Sequence, residues 1–387
     1  MRLLFDGQAF SMQRVGGISR LFSELFRIFH EQNYVEWDVA IDFPDNFYVQ
    51  DLEKQFGPLT RYTKSFGGIA FKGKGRLFTA ISSFNSKHPE HQQTFRLLHQ
   101  GGIDVFHPTY YDDYFLSELS NIPFVITVYD MIHELFPDVV NDPLTSMRKS
   151  RLIKEASQII AISENTKNDL IRLTDVDEGK IHVVPLASSI GPGRMISSMP
   201  ERPDKYMLFV GQRGGYKNFG RLFRAVAPLM RRDKSLHLVC LGGKQPNGKF
   251  TLGENRLIDE EGLNDQVLLW AAGNDELVHW YRNALCLLLP SLYEGFGLPI
   301  LDAFSSNCPV ACSNTSSLPE VGRDGAAYFR PESIESMRET IQRVLESEEW
   351  RTHLVERGRQ RLVSFSWLRT AKETIDVYDA ALRSGKT

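Results

Sequence analysis

Short apolar runs rich in Leu, Val and Ile alternate along this chain with longer stretches in which apolar residues recur every three or four positions. In the first half the short runs are RLLF at 2–5, FVITV at 124–128, QIIAIS at 158–163 and KIHVVP at 180–185. GISRLFSELFRIFHE follows the first run and ENTKNDLIRL the third, both with helical spacing. This alternation predicts a parallel sheet flanked by helices. It breaks at ASSIGPGRMISSMPERPDK, residues 187–205, where Ser, Pro and Gly replace the apolar period and a linker is expected. The pattern restarts with YMLFVG at 206–211, a helix from about Phe219, HLVCLGG at 237–243, VLLW at 267–270, a helix in DELVHWYRNA, then LCLLLPS and PVACS. The chain is therefore expected to be α/β, with two βα-repeating domains facing each other across a cleft. Catalytic groups are expected on loops that follow strands.

Composition narrows the function classes. With 387 residues, 42% hydrophobic and 24% charged, the chain can bury large cores, and its net charge of -3 gives no basic excess for nucleic acid. Cys240, Cys286, Cys308 and Cys312 lie in apolar runs without a CxxC pair, as buried free thiols in a reducing compartment would. The start, MRLLFDG, reaches Asp6 too soon for the apolar core of a signal peptide, and no apolar run approaches the roughly 18 residues of a membrane span. A cytoplasmic location is expected, with contact at the inner face of the plasma membrane left open.

Three glycine-bearing stretches carry candidate chemistry. In YEGFGLPILDAF, 293–304, Gly295 and Gly297 would let the backbone approach a ligand. Pro299 suits the start of a helix, and the amides of Phe296, Gly297 and Leu298 would face an anion at its N-terminus. Glu294 and Asp302 could reach the same pocket, one toward sugar hydroxyls and the other toward ribose. A helix end merely decorated with acids is the plainer alternative. In VGQRGGYKN, 210–218, Arg213 and Lys217 could clamp a diphosphate and absorb the charge that builds as it leaves; a solvated loop with two ordinary charges is equally open. In QRVGGISR, 13–20, Gly16 and Gly17 would open a helix close to a phosphate or an acceptor, but the spacing is not that of a dinucleotide fingerprint. His107 in DVFHPTYY and Asp130 with His133 in TVYDMIHELFP end strands and could orient or deprotonate an acceptor hydroxyl, or be structural.

Together, PSLYEGFGLPILDA, CSNTSSLPEVGRDGAAYF, FVGQRGGYKNF, GGISR and TVYDMIHELFP resemble glycosyltransferase family 4, the retaining nucleotide-sugar transferases of the GT-B fold. The resemblance covers nearly the whole chain and is far more specific in its second half. It implies an N-terminal acceptor domain over 1–190, a C-terminal donor domain over 191–365, and a helix over 366–387 that crosses back to the first domain. The family's E-x7-E motif falls on Glu294 and Asp302, the latter one methylene shorter than usual. Its basic pair falls on Arg213 and Lys217, its turn amides on Phe296 to Leu298, and its glycine loop on Gly16, Gly17 and Arg20. Many members have His where this chain has Tyr129, which leaves the polar work near the acceptor to Asp130, His133 and His107. The donor base is expected near Ala271 to Asn274, with UDP and GDP both open.

The resemblance further implies transfer from a nucleotide sugar with retention, without a cofactor or an obligatory metal, in the synthesis of a bacterial surface polysaccharide such as O-antigen or capsule. The acceptor would be a glycan or a lipid-linked carrier. Arg61, Lys64, Lys72, Lys74, Arg76 and Lys87 alternate with aromatic residues in an acid-free stretch that suits an anionic membrane, or an ordinary solvated helix and loop. The one DxD, Asp175 to Asp177, lies before KIHVVP and is read as a turn. The alternatives are a nucleotide-sugar epimerase of the same architecture, a pyridoxal-phosphate phosphorylase and a non-catalytic sugar-binding module.

Overall fold

The computed structural model describes residues 1–12, 14–41, 46–57, 59, 89–190, 202–242, 249–270 and 274–384, with backbone alone for residues 89, 90, 274 and 275. The first half contains β1 (Arg2–Phe5), β2 (Glu36–Val39), β3 (Val105–His107), β4 (Val125–Val128), β5 (Gln158–Ala161) and β6 (Ile181–Val183). They form two three-stranded parallel sheets ordered β2-β1-β3 and β4-β5-β6. A parallel bridge between Phe106 and Phe124 joins the two.

The second half contains β7 (Lys205–Val210), β8 (Leu236–Leu241), β9 (Val267–Trp270), β10 (Cys286–Leu289), β11 (Val310–Ser313) and β12 (Ala326–Phe329). Its single parallel sheet has the order β12-β11-β10-β7-β8-β9. The central strands read as unbroken apolar runs because helices cover both faces, and every residue of β4, β5, β10 and β11 is buried. The order reverses direction between β7 and β10. A ligand crevice forms at such a switch point, beyond the carboxyl ends of the two strands. The loops that leave β7 and β10 are VGQRGGYKN and the start of YEGFGLPILDAF.

The helix Trp367–Ser384 packs on the helix Gly17–Gln32 and on β3, β4 and β5, so a segment from the chain's far end completes the first half's core. Thr370 Oγ1 donates to the Pro185 carbonyl and Trp367 Nε1 to Ser189 Oγ, which ties this helix to the segment entering the linker. Residues 191–201, the middle of the expected linker, lie outside the described residues. All four cysteines are buried and free. Asp177 accepts from the Gly179 amide in a short turn before β6, so the DxD segment is the turn expected of it.

Candidate active site

Lys217 and Glu294 meet at the switch point. Lys217 Nζ lies 2.6 Å from Glu294 Oε1, and Ser291 Oγ donates to the same oxygen at 2.6 Å. Burial works against the lysine's charge, but Glu294 and Tyr216 outweigh it and raise its pKa above the ordinary value. The turn carrying Glu294 is braced from the loop after β11. Ser316 Oγ accepts from the Glu294 amide, and Ser317 Oγ lies within hydrogen-bond distance of the carbonyls of Glu294 and Phe296. Gly297, at φ 111°, is the N-cap of the helix Leu298–Ser305. The amides of Phe296, Gly297 and Leu298 donate to no group among the described residues, which leaves an anion-attracting helix end beside the Lys217–Glu294 pair.

At Gly295 the absence of a side chain is demanded by a neighbouring backbone. A Cβ there would lie 1.8 Å from the Tyr129 carbonyl oxygen and 3.0 Å from Asp130 Cβ. The neighbour is the backbone of the first half, and the Gly295 carbonyl accepts from Ser163 Oγ at 2.7 Å and Thr166 Oγ1 at 3.3 Å. This contact brings Asp130 up against the Glu294 turn. Phe296 is buried with its ring edge-on to Phe365, so its side chain belongs to the core and its backbone alone faces the cleft.

The first half presents the loops after β1, β3 and β4, joined by a buried chain of polar contacts. Asp6 accepts from the Thr109 amide at 2.8 Å, from Thr109 Oγ1 at 2.7 Å and from Gln8 Nε2 at 2.6 Å. Tyr129 donates its hydroxyl to the Thr109 carbonyl and its amide to the Tyr111 hydroxyl. The Tyr111 ring lies 5.3 Å from Lys149 Nζ, a fully buried cation that donates to Glu134 at 2.6 Å and to the Asp130 carbonyl at 3.1 Å. Asp130 itself accepts from the Ile132 amide. His133 sits in this turn half-buried, its Nδ1 without a partner among the described residues. Burial and then the Lys149 cation lower its pKa against the pull of Asp130 and Glu134, which favours a neutral ring able to accept a proton.

His107 does not face the cleft, contrary to the sequence expectation. It is 1% exposed, its ring nitrogens lie 2.7 Å from the Tyr378 hydroxyl and 3.0 Å from Thr127 Oγ1, and burial lowers its pKa to about 3. A strand end is close to the cleft only for side chains on the right face of the pleat, and β3 turns this one into the core. Arg213 also departs from the expected clamp. Its guanidinium is 6% exposed, pairs with Glu254 at 2.9 Å, donates to the carbonyls of Gly242 and Lys249, and stacks over Phe250. Lys217 is thus the cation that meets Glu294.

Gly16 caps the helix Gly17–Gln32, and a Cβ on Gly17 would lie 3.8 Å from Leu298 Cδ1, so two helix N-termini converge from opposite halves. Arg20, in the first turn of that helix, pairs with Asp302. Asn274 opens the helix Asn274–Asn283, with its side chain and residues 271–273 outside the described residues. The basic and aromatic stretch also falls outside them, from Arg61 to Lys87. Among the described residues no helix is long and apolar enough to cross a membrane.

Several contributors carried no chemical signature in the sequence. Asp6, Lys149, Ser163, Thr166 and Glu320 all belong to this group; Glu320 accepts from the amides of Glu164 and Asn165 and so caps a helix of the opposite half. For Lys149 one signal exists, since its register with Leu152 and Ile153 places it on the buried face of the helix Pro143–Glu155.

Comparison with known proteins gives the family and the fold. Residues 197–361 match the family described as glycosyl transferases group 1, and residues 62–187 match glycosyltransferase family 4. The chain belongs to the group 1 glycosyltransferases of family 4. It is 28% identical over 249 residues to O-antigen chain mannosyltransferase B of Escherichia coli, covering 61% of this chain and 65% of that one. It is 30% identical over 241 residues to the MMP alpha-(1->4)-mannosyltransferase of Mycolicibacterium hassiacum, covering 60% and 56%. Both alignments thus span less than two thirds of the relative. Among solved structures, sucrose-phosphate synthase from Thermosynechococcus elongatus superposes with a TM-score of 0.73 at 18% identity, over 98% of each chain. Anabaena HepE, solved with UDP and glucose, superposes with a TM-score of 0.67 at 14% identity, over 97% of this chain and 98% of that one. The fold of this family 4 chain is GT-B.

Proposed function

We propose that this family 4 chain transfers a hexosyl group from a nucleoside diphosphate sugar to an acceptor hydroxyl, with retention of anomeric configuration and without an obligatory metal. The observation that carries the reading is the Lys217–Glu294 pair beside the open helix N-terminus at Leu298, at the switch point of the second sheet. An ammonium and helix-end amides suit a leaving diphosphate. They are fixed before reaction, so they stabilise the growing charge without the cost of reorganising solvent. Glu294, held by Lys217 and Ser291, retains acceptor capacity for sugar hydroxyls.

In the transfer step the bond from the anomeric carbon to the phosphate oxygen breaks and the bond to the acceptor oxygen forms on the same face. The acceptor's proton passes to the leaving phosphate oxygen. Asp130 and the neutral His133 orient the acceptor hydroxyl from the opposite half. Two relatives are named mannosyltransferases, one of them for the O-antigen chain. Mannose is accordingly the first sugar to test, and a surface polysaccharide or its lipid-linked precursor the first acceptor class.

A thermal-shift screen against UDP, GDP, ADP and dTDP, with and without EDTA, tests donor binding; stabilisation by one nucleotide that survives EDTA is expected. NMR of the product's anomeric proton then tests retention. No shift with any nucleotide, or an inverted product, would overturn the corresponding part of the proposal.

A further inference from the structure

We infer that Arg20 and Asp302 form a strut that fixes the two halves of the chain against each other, and that this strut withholds Asp302 from the ribose of a bound nucleotide. The pair spans 282 positions of sequence and is bidentate, with guanidinium nitrogens 2.9 and 3.0 Å from the two carboxylate oxygens. Its side chains are only 11% and 7% exposed. Ser188 Oγ donates a third hydrogen bond to Asp302 Oδ1 at 2.7 Å. A carboxylate offers about four acceptor positions, so these contacts use most of its capacity inside the protein.

The location gives the pair its leverage. Arg20 lies in the first turn of the helix Gly17–Gln32 and Asp302 in the helix Leu298–Ser305, the two helices whose N-termini converge. Ser188 precedes the segment that joins the halves, and its neighbour Ser189 is held by Trp367. One carboxylate therefore gathers the first half, the second half and the connection between them.

Removing one member of a buried pair strands a charge without a partner, whereas replacing both by apolar groups is tolerated. The experiment is a ligand-free urea denaturation cycle with Arg20→Met, Asp302→Leu and the double variant. Each single change is expected to lower the midpoint, and the double variant is expected to lose less than either single one. Additive losses would overturn the strut.

The consequence for ribose rests on the proposed donor site. It is tested by calorimetry of wild type and Asp302→Asn with UDP, GDP and their 2′-deoxy forms. Ribo and deoxy forms are expected to bind within about threefold of each other, with that ratio unchanged by the substitution. A preference for the ribonucleotide of about tenfold or more, abolished in Asp302→Asn, would assign Asp302 to the ribose after all. Failure of both nucleotides to bind would count against the donor site and with it the ribose consequence, and the ligand-free cycle would still decide the strut.

Discussion

Replacing Gly295 by alanine adds one methyl group at the point where the two halves touch by backbone. Its Cβ would sit 1.8 Å from the Tyr129 oxygen and 2.9 Å from the Tyr129 carbonyl carbon. Ordinary contact requires more than 3 Å, so the groups must separate by over about 1 Å. The obstacle is main chain, which no rotamer change can move aside. Either the Tyr129–Asp130 turn or the Glu294 turn must shift, and the hydrogen bonds from Ser163 and Thr166 to the Gly295 carbonyl stretch with it. A misplacement of about 1 Å between reacting groups can cost on the order of a hundredfold in rate. Nucleotide contacts drawn from the second half alone lie on one side of the break. The expected outcome for Gly295→Ala is a fall in kcat/KM of about a hundredfold, with the dissociation constant of the nucleoside diphosphate changed by less than about threefold. Steady-state transfer assays and calorimetry on the same preparation measure the two quantities. Wild-type turnover would refute the view that this contact sets the alignment of Asp130 with Glu294.

Glu294→Gln and Lys217→Met should each lower kcat by about 10²–10³-fold if the pair acts on the departing diphosphate, and near-normal turnover in either would remove it from the reaction. Lys149→Met takes the fully buried ammonium away from half-buried Glu134 and from the Asp130 carbonyl, and should cost about 1–3 kcal/mol of stability, measured by urea denaturation. His107 supplies a pH effect. Its folded pKa of about 3 lies below the ordinary 6.5, so the unfolded chain takes up the proton first as pH falls, and stability is lost between those two values. At pH 5 the loss is about 2 kcal/mol relative to neutral pH. The variant His107→Phe should lack this increment when denaturation midpoints at pH 7.5 and pH 5 are compared; an unchanged difference would place the pH dependence in other groups.

The strands of the second half from YMLFV to VACS were legible because most of their residues are buried and read as plain apolar runs, whereas their order in the sheet and the last strand, Ala326–Phe329, were not. Glu36–Val39, EWDV, escaped that reading because its exposed positions dilute the apolar signal. At the site, Glu294 and Lys217 were legible because the chemistry of each loop is local. The misreading at His107 and the unforeseen contact at Gly295 share a cause: both residues answer to elements remote in sequence, Tyr378 in one case and Tyr129 in the other. Arg213 was legible as a cation, but its direction depends on Glu254, which lies 41 positions on in the first turn of the helix Leu252–Glu261. Spacing encodes which loops exist at the crevice; partners chosen across the fold decide which side chains remain available there.

The docking of the helix Trp367–Ser384 on the first half has a consequence for biosynthesis. His107 and the strands around it leave the ribosome early, but the Tyr378 hydroxyl that meets the imidazole is translated only after the whole second half. Domains usually fold in the order in which they emerge. Here part of the earlier one's apolar interior stays without its native cover until the last helix has been made. The same dependence makes the first half a poor candidate for expression by itself, and a sensitive reporter of any lesion that shortens the chain ahead of Tyr378.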